Sequence, residues 1–132
     1  MSMNKKIFLV DDDGLFLKNL EMDFHEQSTF VVETYPTGEL CLEHLSARPD
    51  LIVLDYHLNG VNPAAMNGMA TLDKIKVFDA AIPVIILSSQ DHLEVAIDCM
   101  SHGAADYLVK SDVVFVRLMR IILTHLSLSG FG

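Results

Sequence analysis

The chain has 132 residues, enough for one domain and too few for two of ordinary size. Hydrophobic residues make up 51% of it, so it can bury a real core and its composition excludes a disordered chain. A formal net charge of −9, with nine Lys and Arg scattered along the sequence, argues against direct nucleic-acid binding, which draws on clustered cations. No CxxC or Cys/His spacing suggests zinc, and Cys41 and Cys99, far apart in helical segments, read as core thiols of a reducing compartment. The apolar runs are far shorter than the ~20 residues of a membrane span. Met1 to Lys6 is not shaped like a signal peptide, so a soluble, cytoplasmic protein is expected.

In chain order, the first apolar run is Ile7 to Val10, a strand. Asp11, Asp12 and Asp13 follow it. Asp13 reads as the N-cap of a helix in which Phe16, Leu17, Leu20 and Phe24 recur at helical spacing. Phe30 to Val32 is a second strand at a sheet edge, after which Tyr35-Pro36 offers no chemistry. Thr37 is expected to cap a helix from Gly38 to Ala47. Leu51 to Leu54 is the third strand and runs into Asp55. The stretch from Tyr56 to Asn67 is irregular, with Asn59, Gly60, Asn62, Pro63 and Asn67 supplying turn chemistry.

The fourth strand, Val84 to Leu87, leads to Ser88 and Ser89. Asp91 is expected to cap a helix that begins near His92 and carries Leu93, Ala96, Ile97 and Met100 on one face. Gly103 is placed to end that helix in a left-handed turn. Tyr107 to Val109 is the fifth strand, followed by Lys110 and a last helix from about Asp112 to Leu126. That helix is unusually apolar: ten of the fourteen residues from Val113 to Leu126 are hydrophobic, more than one buried face requires.

Strand and helix alternate five times, which predicts a parallel sheet with right-handed crossovers and helices on both faces. Ligands of such sheets bind beyond the carboxyl ends of the strands. There the sequence offers Asp11, Asp12, Asp13 and Asp55, the hydroxyls of Ser88 and Ser89, and the ammonium of Lys110. Crowded carboxylates need a cation, and short hard-oxygen ligands favour Mg2+. Acids, hydroxyl and ammonium together fit phosphoryl transfer onto a carboxylate.

From about Lys5 to Leu126 the chain resembles the receiver domain of two-component response regulators. The resemblance rests on Asp11-Asp12 after Ile-Phe-Leu-Val, Asp55 ending Leu-Ile-Val-Leu-Asp, Ser88 ending Val-Ile-Ile-Leu-Ser, and Lys110 ending Asp-Tyr-Leu-Val-Lys. It implies a flavodoxin-like (βα)5 fold with strand order 2-1-3-4-5, filling residues 1–132 as one domain without an output domain. It also implies roles. Asp55 would accept a phosphoryl group from a sensor histidine kinase or a histidine phosphotransfer protein. Asp12, Asp55 and the backbone carbonyl of His57 would hold Mg2+, with Asp11 acting through water. Lys110 and Ser88 would contact the phosphoryl group, and Tyr107 would be the switch aromatic that answers Ser88. His57 and Gln90, at the mouth of the site, would tune the phosphoryl lifetime. Such a protein catalyses its own phosphorylation and dephosphorylation and is not otherwise an enzyme. Its output face, formed by the fourth helix, fifth strand and fifth helix, would serve a homodimer or an effector.

Three departures touch loop geometry. Asn59 stands where the family has a proline, the loop to Gly68 is several residues longer than usual, and Ser111 replaces the proline after the Lys. Two rival readings follow other features. Asp11-Asp12-Asp13-Gly14 also fits the opening of haloacid-dehalogenase-like phosphatases, with Asp11 as nucleophile and Asp13 as acid/base. That reading lacks the paired acids expected on a further strand and leaves Asp55 idle. A pseudo-receiver that signals without phosphate would keep the fold yet have no need of the complete set of reacting groups.

Overall fold

The computed structural model describes residues 4–126. Along them run β1 (Lys6–Val10), α1 (Gly14–Gln27), β2 (Val31–Tyr35), α2 (Gly38–Glu43), a 3-10 helix (Leu45–Ala47), β3 (Leu51–Asp55), α3 (Gly68–Phe78), β4 (Val84–Ser88), α4 (Leu93–Ser101), β5 (Asp106–Val109) and α5 (Val114–His125). The five strands are parallel, in the order β2-β1-β3-β4-β5 expected of the flavodoxin-like fold. No described helix is long and apolar enough to cross a membrane.

β3 and β4 are buried at every residue, which explains why their sequences are apolar without alternation. Successive side chains enter opposite layers. Phe8, Val10, Ile52, Leu54 and Ile86 pack with Cys41, Leu72, Ile75 and Cys99 under α2, α3 and α4. Ile7, Leu9, Val53, Ile85 and Leu87 pack with Leu17, Leu20, Phe24, Leu118 and Ile122 under α1 and α5. Phe24 is fully buried, edge-on to Phe115 at 5.1 Å between ring centroids, and its truncation to Ala would remove about 3–5 kcal/mol.

Several boundaries differ from the sequence expectation. β2 continues to Tyr35, because an edge strand tolerates the polar Glu33 and Thr34 on its half-exposed faces. The helix expected from Gly38 to Ala47 ends at Glu43: the His44 amide bonds to the carbonyls of both Cys41 and Leu42, and the chain tightens into the 3-10 helix. Asp91 does not cap α4. The helix starts at Leu93, so His92 occupies the cap position and makes no side-chain cap bond. α5 starts at Val114, because a turn closed by the Val114 amide on the Ser111 carbonyl takes up the residues before it. Asp13 and Thr37 do cap their helices, accepting from the amides of Phe16 and Leu40. Gly103 has φ 102°, the left-handed region that glycine favours.

α5 divides its apolar residues three ways. Val114, Leu118 and Ile122 are buried, Phe115, Met119, Ile121 and Leu126 pack partly against the core, and Val113, Val116 and Leu123 stay exposed. α4 buries only Cys99 and leaves Leu93, Ile97 and Met100 exposed along one stripe.

Gly68 opens α3 against the backbone beyond β3: a Cβ there would lie 2.5 Å from the Asp55 carbonyl oxygen and 2.6 Å from that of Tyr56. Gly14, at the start of α1, would meet nothing within 4 Å. Gly68→Ala is therefore expected to lower unfolding free energy by on the order of 2–3 kcal/mol, whereas Gly14→Ala is neutral or raises it by up to ~1 kcal/mol. Urea denaturation of the two variants checks the contrast.

Candidate functional site

Parallel register brings the strand ends to one edge. Val10 lies beside Leu54, and Asp55 beside Leu87, so Asp11 and Asp55 emerge next to each other. Ser88 lies beside Val109, which puts Lys110 one step beyond, its amide bonded to the Ser88 carbonyl at 2.8 Å.

Asp11 and Asp55 are buried at 3% and 4% exposure, while Asp12 is half-buried. Each of the three offers an oxygen, and these oxygens lie within 4.8 Å of one another. Lys110 Nζ stands 2.8 Å from Asp11 Oδ2 and 3.4 Å from Asp55 Oδ1. Asp11 Oδ1 accepts the Asp13 amide, but its buried Oδ2 has no hydrogen bond of good geometry, so the Lys110 charge alone neutralises it. Burial and the neighbouring Asp11 push the Asp55 carboxyl up to about 7, against the pull of Lys110. Burial opposes the charge of Lys110, yet Asp11 and Asp55 overcome it and raise its pKa.

Lys110 also lies over the Phe16 ring, 4.3 Å from its centroid. Phe16 thus belongs to the site's surroundings, although its helical spacing marked it only as a core-facing residue.

Ser88 is fully buried, and its Oγ accepts the Gln90 amide at 3.1 Å. The Gln90 carbonyl in turn accepts the Tyr107 hydroxyl at 2.6 Å. Ser88 and Tyr107 are thus joined through the backbone of Gln90, whose residue is exposed. His57 is exposed too, with its ring edge-on to Tyr56 at 4.9 Å and not among the acids. Asp13 is exposed, caps α1, and is not one of the clustered carboxylates, which removes the acid/base that the phosphatase reading needs.

The donor set fits a small hard divalent cation. Three carboxylate oxygens converge, one buried oxygen lacks a hydrogen bond, and the lone ammonium cannot balance three negative charges.

A family profile described as the response regulator receiver domain matches residues 7–121. The transcriptional regulatory protein ZraR of Escherichia coli (strain K12) is 43% identical over 107 residues, covering 81% of this chain and 23% of that protein. The transcriptional regulatory protein PrrA of Mycobacterium tuberculosis is 31% identical over 117 residues, 88% of this chain and 48% of the relative. The chain therefore spans 23% to 48% of the length of these relatives. The receiver domain of NtrX from Brucella abortus superposes with a TM-score of 0.82 at 25% identity, over 92% of this chain and 98% of that one. The signal receiver domain of a putative Luxo repressor protein from Vibrio parahaemolyticus gives 0.82 at 24% identity, over 95% and 92%.

The raised Asp55 carboxyl sets a pH signature for the metal-free protein. Between its ordinary 3.8 and about 7, the folded chain holds a proton that the unfolded chain releases, so stability falls as pH rises through that window. Asp55→Asn is expected to flatten this fall and to gain on the order of 1–3 kcal/mol at pH 8 in a chelator, with little gain at pH 4. Denaturation of both proteins across that range checks it.

Proposed function

Because the chain belongs to the response regulator receiver domain family, we propose that it receives a phosphoryl group on Asp55 and relays that event by changing partner binding. The observation that carries this reading is the position of Asp55: a buried carboxylate clustered with the acid pair, with the ammonium it shares with Asp11 3.4 Å away.

The donor is a phosphohistidine of a sensor kinase or a phosphotransfer protein, or a small acyl phosphate. An Asp55 oxygen attacks phosphorus, the new O–P bond forms as the donor P–N or P–O bond breaks, and the leaving group takes the electron pair. Asp11, Asp12, Asp55 and the His57 carbonyl would hold Mg2+, which when bound would neutralise charge on the acceptor and on the phosphoryl oxygens. Lys110 leaves Asp55 for a phosphoryl oxygen while Asp11 and the Phe16 face keep it close. Water later attacks the same phosphorus, and its O–P bond to Asp55 breaks to return the carboxylate and release inorganic phosphate. The exposed side chains of His57 and Gln90 set the access of that water.

Ser88 supports the switch, since its Oγ accepts from Gln90 and its proton remains free for a phosphoryl oxygen. Movement of Ser88 pulls on the Gln90 backbone, and the Tyr107 hydroxyl follows the Gln90 carbonyl. Tyr107 lies on β5 between α4 and α5, where Leu93, Ile97, Met100, Val113, Val116 and Leu123 are exposed. Soluble monomers rarely leave such apolar area uncovered, so this face is the proposed contact for a second copy or an effector. The setting is the cytoplasm.

Acetyl phosphate with Mg2+ should label the protein once, stoichiometrically, and a chelator should stop it. Asp55→Asn should abolish labelling, and Asp12→Ala should weaken Mg2+ binding more than Asp13→Ala. An Asp55→Asn protein that labels like wild type would refute the assignment. Sedimentation should show association that beryllofluoride strengthens and Ile97→Asp prevents; a strict monomer in both states would count against the contact face.

A further inference from the structure

The segment between β3 and α3 has a built conformation tied down at both ends. In its middle, Asn62 closes a turn, its Oδ1 accepting the Ala64 amide and its carbonyl the Ala65 amide. At the near end, the amides of Gly60 and Val61 both donate to Asp12 Oδ2, at 3.0 and 3.1 Å. At the far end, the Met66 amide donates to Glu39 Oε2 on α2 at 2.9 Å. Gly60 lies so close that a Cβ there would sit 3.3 Å from Asp12 Oδ2. The Val61 side chain is 76% exposed, so packing does not account for this approach; the two backbone donors do.

Two amides on one carboxylate oxygen fix the plane of the Asp12 carboxyl. Its Oδ1 has no protein donor among the described residues. Carboxylates that ligate metals are held in this way by partners behind them, and loss of such a partner weakens metal affinity ten- to a hundredfold. We propose that Gly60, Val61 and Glu39 are positioning residues for the cation site: the loop orients Asp12, and Glu39 holds the loop in place. This rests on the reading of Asp11, Asp12 and Asp55 as the cation site. It makes α2 a structural partner of cation affinity, through the Met66 end of the loop that Glu39 holds.

The test uses the intact chain, with Mg2+ alone as the probe. Val61→Pro removes one donor, and Glu39→Ala removes the far anchor without touching a proposed ligand. Each should raise the Mg2+ dissociation constant about tenfold by calorimetric titration, with the labelling rate from acetyl phosphate restored at saturating Mg2+. Val61→Ala keeps the amide and Glu39→Gln keeps an acceptor oxygen, so both should titrate like wild type. Without metal, hydrogen exchange at the Gly60 and Val61 amides should be slow in wild type and fast in Glu39→Ala and in Asp12→Ala. Unchanged or tighter Mg2+ binding in a folded Val61→Pro or Glu39→Ala would overturn the proposal. Wild-type protein that binds no Mg2+ would overturn the cation-site reading itself, whatever the amide exchange shows.

Discussion

One ammonium stands among three carboxylates, and the strand ends are arranged around that imbalance. Lys110 reaches Asp11 and Asp55 together, and both acids are nearly dry. In such surroundings a charge pair gains several times what it would in water, and an unbalanced charge costs correspondingly more. If all three acids are ionised, the cluster carries two excess negative charges, so it must take up a proton or a cation. The proposed phosphoryl group would bring further negative charge to the same place. The site therefore holds a charge tension that an added proton or cation relieves.

The sheet gives that tension a fixed geometry. β3 is the central strand, buried on both faces, and its register with β1 and β4 sets the backbone of Asp55 beside those of Asp11 and Ser88. The groups proposed to react thus end the fully buried strands β3 and β4 or lie just beyond β1 and β5, and those proposed to respond lie on loops and on the outer strand β5. This division suits a switch, because the chemistry needs fixed distances and the output needs parts that can move.

Asp11, Asp12, Asp55, Ser88 and Lys110 were legible because each ends a short apolar run, and side-chain type at a strand end is a signal the sequence carries directly. That logic does not give the strand order, which came only through the resemblance, since periodicity does not say which strands are neighbours. What escaped was mostly made by main chain. The bridge from Ser88 to Tyr107 passes through the amide and carbonyl of Gln90, and the hold on Asp12 is by the amides of Gly60 and Val61. Every residue has those groups, so no residue type marks them. Phe16 was legible as apolar, but its place over Lys110 depends on where α1 lies across the sheet. The exposed stripe of α4 was hidden by the same spacing that normally signals a buried face.

The two cysteines occupy matched positions in this architecture. Cys41 and Gly38 are the buried residues of α2, and Cys99 is the only buried residue of α4. Burial pushes their thiols up to about 12 and about 11, so neither is a nucleophile at neutral pH while its helix is docked. An alkylating reagent can reach either sulfur only when the covering helix lifts away. The chain thus carries one native chemical clock for each of two helices, and their relative trapping rates compare how often α2 and α4 leave the sheet. With so little holding α4 down, the Cys99 clock should run faster.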